Sequence, residues 1–125
     1  MGILDFLFDK EKAQARQIDK LRKKLTNIWM QSPDRNEAAQ QLFQIGTPEA
    51  LHALMERFKV QTQNTTYDIE EKTFVYDMLA GAGPAVADVV KDNVRKEQAV
   101  INWQMRVLEA IATMAPRLRA SAGCA

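Results

Sequence analysis

The chain has too few metal-binding and nucleophilic side chains for most catalytic chemistry. Its 125 residues contain one cysteine, Cys124, and one histidine, His52. A single cysteine excludes an internal disulfide framework and a cysteine-rich zinc site. A single histidine excludes a histidine metal cluster and leaves no triad with Cys and His in register. We therefore expect no catalytic, cofactor-binding or metal-binding residues, and a protein that is not an enzyme and needs no cofactor.

Long apolar runs and a strong net charge are also missing. No run approaches the roughly 18–20 apolar residues that cross a bilayer, and the apolar start over residues 3–8 is short and interrupted by Asp5. Because it also lacks the basic start and cleavage site of a signal peptide, we expect a cytoplasmic protein. Lys and Arg number 17 against 16 Asp and Glu, a net charge of +1. This balance argues against nucleic acid as a partner, because such binding depends on neutralising phosphates.

No alternating strand pattern of useful length is present, whereas apolar residues recur at helical spacing throughout. In the leading segment Ile18, Leu21, Leu25 and Ile28 fall on one face and predict a helix over 10–31. Asp34 and Asp68 each precede a Glu by three residues, and these capping boxes predict further helix starts. The sequence thus predicts an all-α fold in one domain over residues 1–114.

An internal repeat organises the helices into pairs. Each unit is a helix, a Gly/Pro hinge and a second helix. Equivalent positions are 37 residues apart, or 36 for the prolines: Leu42 and Leu79, Gly46 and Gly83, Pro48 and Pro84. The predicted segments are repeat one at 34–58, repeat two at 68–95, a partial third repeat at 97–114, and a disordered or atypical tail at 115–125.

The residues around the first hinge resemble a known repeat motif. The run Ala38-Ala39-x-x-Leu42-x-x-Ile45-Gly46-x-Pro48-Glu49-Ala50-Leu51-x-x-Leu54 resembles a HEAT repeat. A wider pattern consists of Gln31-Ser32-Pro33-Asp34-Arg35, Gly46 to Ala50, Arg57-Phe58, and Asp68-x-x-Glu71-Lys72. With this pattern, the chain resembles a group of uncharacterised bacterial HEAT-repeat proteins over about residues 1–112. The resemblance implies a short α-solenoid in which the second helix of each pair lines a concave protein-binding face.

That implication selects the second helices, over Pro48–Phe58 and Pro84–Arg95, as the binding surface. Their polar residues are the candidate partner-binding set: Glu49, His52, Glu56, Asp88, Lys91, Asp92 and Arg95. Mixed charge suits a protein partner more than a polyanion, so we expect a non-catalytic protein–protein interaction or scaffold module. The alternative, that these residues only solubilise their helices, stays open.

Other polar features receive structural interpretations. His52 is interpreted as a partly exposed helical histidine without a positioned partner. The carboxylates of Asp68, Glu70 and Glu71 are interpreted as favourable charge at a helix N-terminus. The glycine-rich segment 81–84 follows a helix instead of a strand, which excludes a phosphate-binding loop.

The small net charge hides an uneven distribution. Residues 1–31 carry seven basic and four acidic groups, and residues 61–94 carry two basic and six acidic groups. The basic patch of the leading helix comprises Lys20, Arg22, Lys23 and Lys24. It is either a solvated face or a docking patch for an acidic partner, an anionic lipid or nucleic acid. Membrane-surface or nucleic-acid binding through this helix is the alternative function, with residues 1–24 as the membrane-binding segment.

Both ends of the chain leave alternatives open. The apolar start at 3–8 could cap the first helix pair, rest at a membrane interface or dock on a partner protein. The incomplete third repeat leaves an apolar stripe with one neighbouring pair to cover it, which indicates self-association or a missing continuation. That stripe comprises Val100, Ile101, Val107, Leu108 and Ile111.

Overall fold

A computed structural model gives the backbone of residues 3–97 and 101–123, and the side chains of residues 9–97 and 101–113. Within these ranges the chain forms six α-helices and one 3₁₀ helix, and no strand. The helices are α1 (Ile3–Leu25), α2 (Ser32–Ile45), α3 (Pro48–Met55), a 3₁₀ helix (Glu56–Lys59), α4 (Thr65–Ala82), α5 (Pro84–Lys96) and α6 (Asn102–Gly123). The predicted all-α fold is confirmed. No helix in the described part is both long and apolar enough to span a membrane.

The leading helix differs from its predicted range of 10–31. It ends at Leu25, where Thr26 bonds back to the Arg22 carbonyl oxygen and the Asn27 side chain accepts the Trp29 N–H at 2.9 Å. These local bonds compete with further helix. Ile28, placed on the buried stripe by its spacing, is instead 41% exposed in the turn.

Both predicted capping boxes are also wrong. Helix α2 begins at Ser32, with no side-chain bond at its N-cap and a proline in its first turn, so Asp34 lies inside the helix. Helix α4 begins at Thr65, and its cap is Asn64, whose Oδ1 accepts the Tyr67 N–H at 3.1 Å. The side chains of the apolar start at 3–8 and of the tail at 115–125 lie outside the described residues, and the predictions for these two segments stay predictions.

The helices contact one another in a regular order. Each of α1 to α4 contacts the next helix but one, so that α1, α3 and α5 form one row and α2, α4 and α6 another. Contacts between neighbours, such as α1 with α2 and α5 with α6, join the rows. A single apolar cluster runs through the whole set, from Leu25 of α1 through Leu54 and Leu79 to Val107 of α6.

Helix α6 docks through an aromatic contact as well as through its apolar stripe. The Trp103 ring stacks on Phe58 with centroids 5.8 Å apart and meets Tyr76 edge-on at 6.3 Å. Of the predicted stripe, Val107 and Ile111 are buried in the common cluster, whereas Val100 lies outside the described residues.

Gly46 and Gly83 both have a positive φ, but their ψ angles of 0° and −143° differ, so the equivalence of the two hinges stays a prediction. Their φ angles are 69° and 67°, in the region that favours glycine. After Gly46, Thr47 caps α3 by accepting the Ala50 N–H at 3.2 Å. Gly83 serves both as the last cap of α4 and the first cap of α5. The second hinge therefore lacks the capping threonine, which explains why the prolines are one residue closer than the glycines.

Two neighbouring glycines provide a matched test of the hinge. Gly83 combines φ 67° with ψ −143°, whereas Gly81 lies within α4, and a Cβ at either would meet no atom within 4 Å. We expect Gly83→Ala to lower the free energy of unfolding by about 1–3 kcal/mol through backbone strain. Gly81→Ala should raise it by about 0.5–1 kcal/mol. Urea unfolding followed by circular dichroism measures both, and equal effects would contradict the hinge geometry.

Candidate functional site

Helices α3 and α5, the second helices of the two predicted repeats, lie in contact and are joined by the single histidine. His52 Nε2 lies 3.1 Å from Asp92 Oδ2, and His52 Nδ1 lies 3.1 Å from Asn93 Nδ2. With the Asn93 amide donating to Nδ1, the neutral ring carries its proton on Nε2 and donates it to Asp92. Lys96 approaches the same Asp92 oxygen at 3.0 Å and, with His52, lowers the pKa of that carboxyl.

The polar contact continues from His52 into the interior. Gln104 of α6 is fully buried and donates from Nε2 to Asn93 Oδ1 at 3.0 Å. Its Oε1 has no hydrogen-bond partner among the described residues. Side chains of α3, α5 and α6 thus form one chain of hydrogen bonds. The histidine is half-buried as expected, but its partner lies 40 residues away in sequence.

Helix α1 joins the same side of the molecule through Arg22. This guanidinium lies 3.3 Å from Glu56 Oε2 and 2.5 Å from Asp19 Oδ1. These contacts raise the pKa of Arg22, and the partners Arg22 and Lys23 lower that of Asp19. A cavity of about 180 Å³ lies beside these groups, with Glu49 and His52 also in its lining.

The structure places the seven candidate partner-binding residues in two groups. His52, Glu56 and Asp92 hold helices together through the contacts described above. The other four are exposed and have no ion-pair partner among the described residues, and they are Glu49, Asp88, Lys91 and Arg95. The α3 and α5 surface, as we use the term, consists of these seven residues.

The candidate basic patch is less cationic than its sequence suggests. Arg22 is paired with Asp19 and Glu56, and Lys23 Nζ lies 3.1 Å from Asp19. Lys20 is exposed and Lys24 half-buried, and no described carboxylate lies within ion-pair distance of either. Two of the four predicted charges are therefore offset within the molecule.

A buried ionic cluster was not predicted. Arg35 of α2 binds Glu71 of α4 through two hydrogen bonds, Nε to Oε1 at 2.5 Å and Nη2 to Oε2 at 2.9 Å. Arg57 of the 3₁₀ helix lies 3.3 Å from the same Oε1 and donates to Asp68 Oδ1 at 2.8 Å. All four residues are at most 5% exposed. Asp68 does lie in the first turn of α4, where its charge is favourable, but Asp68 and Glu71 are also buried and paired with two arginines, which the sequence did not indicate.

Further groups complete the hydrogen bonding of the two carboxylates. Lys72 Nζ and the Thr62 N–H approach Asp68 at 2.8 and 3.2 Å, and Ser32 Oγ donates to Glu71 at 3.0 Å. Burial alone would raise the pKa of both acids. The hydrogen bonds and the arginine charges outweigh burial, so the pKa of each is lowered. The hydrogen bond to Glu71 likewise raises the pKa of Arg35.

The cluster fits a structural role better than a chemical one. A carboxylate with a lowered pKa and occupied oxygens is a poor general base. Among the described residues, no group of three or more His, Cys, Asp and Glu side chains could hold a metal ion. The signal available in the sequence was spacing, since Asp68 and Glu71 continue the buried stripe of Val75 and Leu79.

No protein-family model, curated protein or solved structure matches this chain. The resemblance to HEAT repeats is therefore not tested by comparison and stays a prediction. Arg35, Arg57, Asp68 and Glu71, which belong to the pattern that carries it, are the four residues of the buried ionic cluster.

The ionisation of Glu71 sets a testable pH dependence. The pKa of Glu71 is lower in the folded state than in the unfolded state. Its contribution to the free energy of unfolding is therefore present above about pH 4–5 and is lost as the pH falls through the folded pKa. Glu71→Gln leaves two buried guanidinium groups short of a partner, and we expect a loss of about 3–5 kcal/mol near pH 7. The difference in the free energy of unfolding between Glu71→Gln and wild type should become smaller as the pH is lowered.

Urea unfolding at a series of pH values measures this difference. Asp19→Asn removes an exposed carboxylate that also pairs with an arginine, and it serves as the control, with a much smaller effect expected. A difference for Glu71→Gln that stays constant down to pH 3 would contradict the assigned role of the carboxylate.

Proposed function

We propose that the chain is a non-catalytic protein–protein interaction or scaffold module of the HEAT type, whose partner binds the α3 and α5 surface. The observation that carries this proposal is the contact of α3 with α5 through His52 and Asp92. Because that contact places the second helices of both units side by side, their exposed residues Glu49 and Asp88 belong to one surface.

The order of helix contacts supports the solenoid part of the proposal. In stacked helix pairs, each helix contacts its neighbour in the pair and its equivalent in the next pair. The two rows α1, α3, α5 and α2, α4, α6 follow that rule. A glycine with positive φ stands at both chain reversals, Gly46 and Gly83, and this recurrence supports a repeat even though their ψ angles differ.

The charges of the surface support a protein as the partner. Glu49 and Asp88 are exposed acids, and Lys91 and Arg95 are exposed bases. A polyanion needs concentrated positive charge, whereas a protein partner can present both signs in complementary positions. Complementary charges across an interface also select against wrong partners.

The proposal is tested by a matched pair of charge reversals. Glu49→Lys with Asp88→Lys changes α3 and α5, and Glu37→Lys with Asp77→Lys makes the same change in charge on exposed positions of α2 and α4. We expect proteins captured from the native cell on immobilised wild-type chain to fall at least several-fold with the first variant. The second variant should retain them.

Quantitative mass spectrometry of the captured proteins reads out both variants, and circular dichroism verifies their folding. If every captured protein is retained equally by the two variants, the α3 and α5 surface is not the binding site.

A second candidate function, docking on a membrane surface through residues 1–24, is favoured by one observation. Helix α1 packs through Ile18, Leu21 and Leu25, whereas every residue from Asp9 to Gln17 is exposed. At 1.5 Å per residue, the apolar start ends about 15 Å along the helix from Ile18. An apolar segment next to a stretch of exposed helix with basic residues suits an anionic lipid interface.

Vesicle sedimentation tests this second function. If it holds, the chain sediments with vesicles of phosphatidylcholine and phosphatidylglycerol at low salt, and binding falls as salt rises. Phe6→Ser with Leu7→Ser should abolish sedimentation, and Lys20→Glu with Lys24→Glu should weaken it. Absence of sedimentation at low salt rejects the function.

A further inference from the structure

A cleft of about 540 Å³ opens at the edge of the fold, between two connecting segments. One wall is the turn at 26–31 with the start of α2, and the other is the loop at 60–64 with the start of α4. Its volume lies in the range of sites that hold a small ligand or a few side chains. None of the seven residues of the α3 and α5 surface lines this cleft. We call it the turn cleft.

Exposed apolar side chains concentrate at the turn cleft. Ile28 and Tyr67, which line it, are 41% and 51% exposed. Trp29, between the lining residues Ile28 and Met30, is 80% exposed. Only two other large apolar side chains of the described residues are exposed, Ile69 and Met105. Exposed aromatic side chains beside a cleft are typical of protein-binding sites.

The walls of the turn cleft are held by the buried ionic cluster. Arg35 donates from Nη1 to the carbonyl oxygen of Asn27 at 3.1 Å and to that of Met30, which fixes the turn. Asp68 accepts the Thr62 N–H at 3.2 Å, which fixes the loop. Because both walls are fixed before any ligand arrives, binding there costs less ordering entropy than binding between mobile loops.

The charges of the lining exclude an anionic ligand and favour a cationic one. Arg35 is the only cation among the lining residues, and Glu71 and two carbonyl oxygens already occupy its guanidinium. Glu70 is the only acid in the lining, is exposed, and has no ion-pair partner among the described residues. A phosphate would face this carboxylate, whereas a lysine or arginine would be attracted to it.

The remaining polar groups suit a peptide backbone. Gln31, Asn36 and Gln63 contribute side-chain amides to the lining. An amide carries both a donor and an acceptor, as a peptide bond does, so these groups can pair with an extended main chain. Apolar surface alone would not favour a peptide main chain over another apolar ligand.

We propose that the turn cleft binds a short extended segment of a partner protein, in which an apolar side chain stands next to a lysine or arginine. The apolar side chain packs between Ile28 and Tyr67, with the exposed Trp29 next to Ile28 in the turn as a further contact, and the basic side chain faces Glu70. This site is separate from the α3 and α5 surface and does not depend on the function proposed there.

A random-peptide phage library supplies the probe, panned on the wild-type chain with counter-selection on Trp29→Ala with Tyr67→Ala. Enriched peptides should share an apolar residue adjacent to Lys or Arg. In fluorescence-anisotropy titrations of the synthesised peptides, Trp29→Ala with Tyr67→Ala should weaken binding at least tenfold, and Glu70→Gln several-fold. Met105→Ala, at an exposed apolar position of α6, is the matched control and should leave the affinity unchanged.

Several outcomes would overturn the assignment. Failure to enrich any peptide, enrichment of acidic peptides, or equal affinity for the aromatic double variant would each do so. Two further measurements use other occupants as probes, phosphatidylglycerol vesicles and an oligouridine, and binding of either that requires Trp29 and Tyr67 would overturn it as well. Self-association in sedimentation velocity that disappears in the double variant would assign the cleft to a second copy of the chain. Thermal unfolding of each variant verifies that the fold is retained, and Glu49→Lys with Asp88→Lys should leave peptide binding unchanged.

Discussion

The carboxylate of Glu71 is the contact on which the arrangement of the two predicted repeats depends, and these repeats, α2 with α3 and α4 with α5, are called units below. It receives Arg35 from the first helix of one unit and Arg57 from the end of that unit, while belonging itself to the first helix of the next. Buried charges are costly unless each is paired and hydrogen-bonded, so few alternative positions of α4 would satisfy them. Apolar contacts alone would tolerate more sliding and repacking. We infer that the cluster fixes the register between the units, while the common apolar core supplies the larger share of the stability.

The helices and hinges could be predicted because their signals are local. Apolar spacing of three and four residues marks a buried face wherever the helix packs, and Gly46 and Gly83 mark the chain reversals through their own backbone preference. The end of α1 could not be placed by the same rule. Ile28 continues the spacing, yet side-chain bonds of Thr26 and Asn27 end the helix before it.

The candidate sites were harder to predict because their contacts join distant parts of the sequence. Asp68 and Glu71 match a capping box as well as a buried pair, and only partners 11 and 36 residues away distinguish the two interpretations. The same holds for His52, which meets Asp92 across 40 residues. The turn cleft has no periodic signal of its own, since a turn, a loop and the starts of two helices form its walls. The sequence could only indicate the polar positions of α3 and α5 as candidate partner-binding residues.

The location of the ion pairs changes what the net charge of +1 implies about binding. The two arginines and two acids of the buried cluster offset one another in the interior, and Arg22 is offset by Asp19 and Glu56. The α3 and α5 surface, the first proposed binding site, keeps charges of both signs that are unpaired among the described residues. The turn cleft, the second, keeps a single acid. Neither arrangement concentrates the positive potential that a polyanion requires, and both are suited to the mixed charges and main-chain amides of a protein. In the proposed peptide site, Arg35 would act indirectly, because it holds the backbone of the turn while its own charge is offset by Glu71.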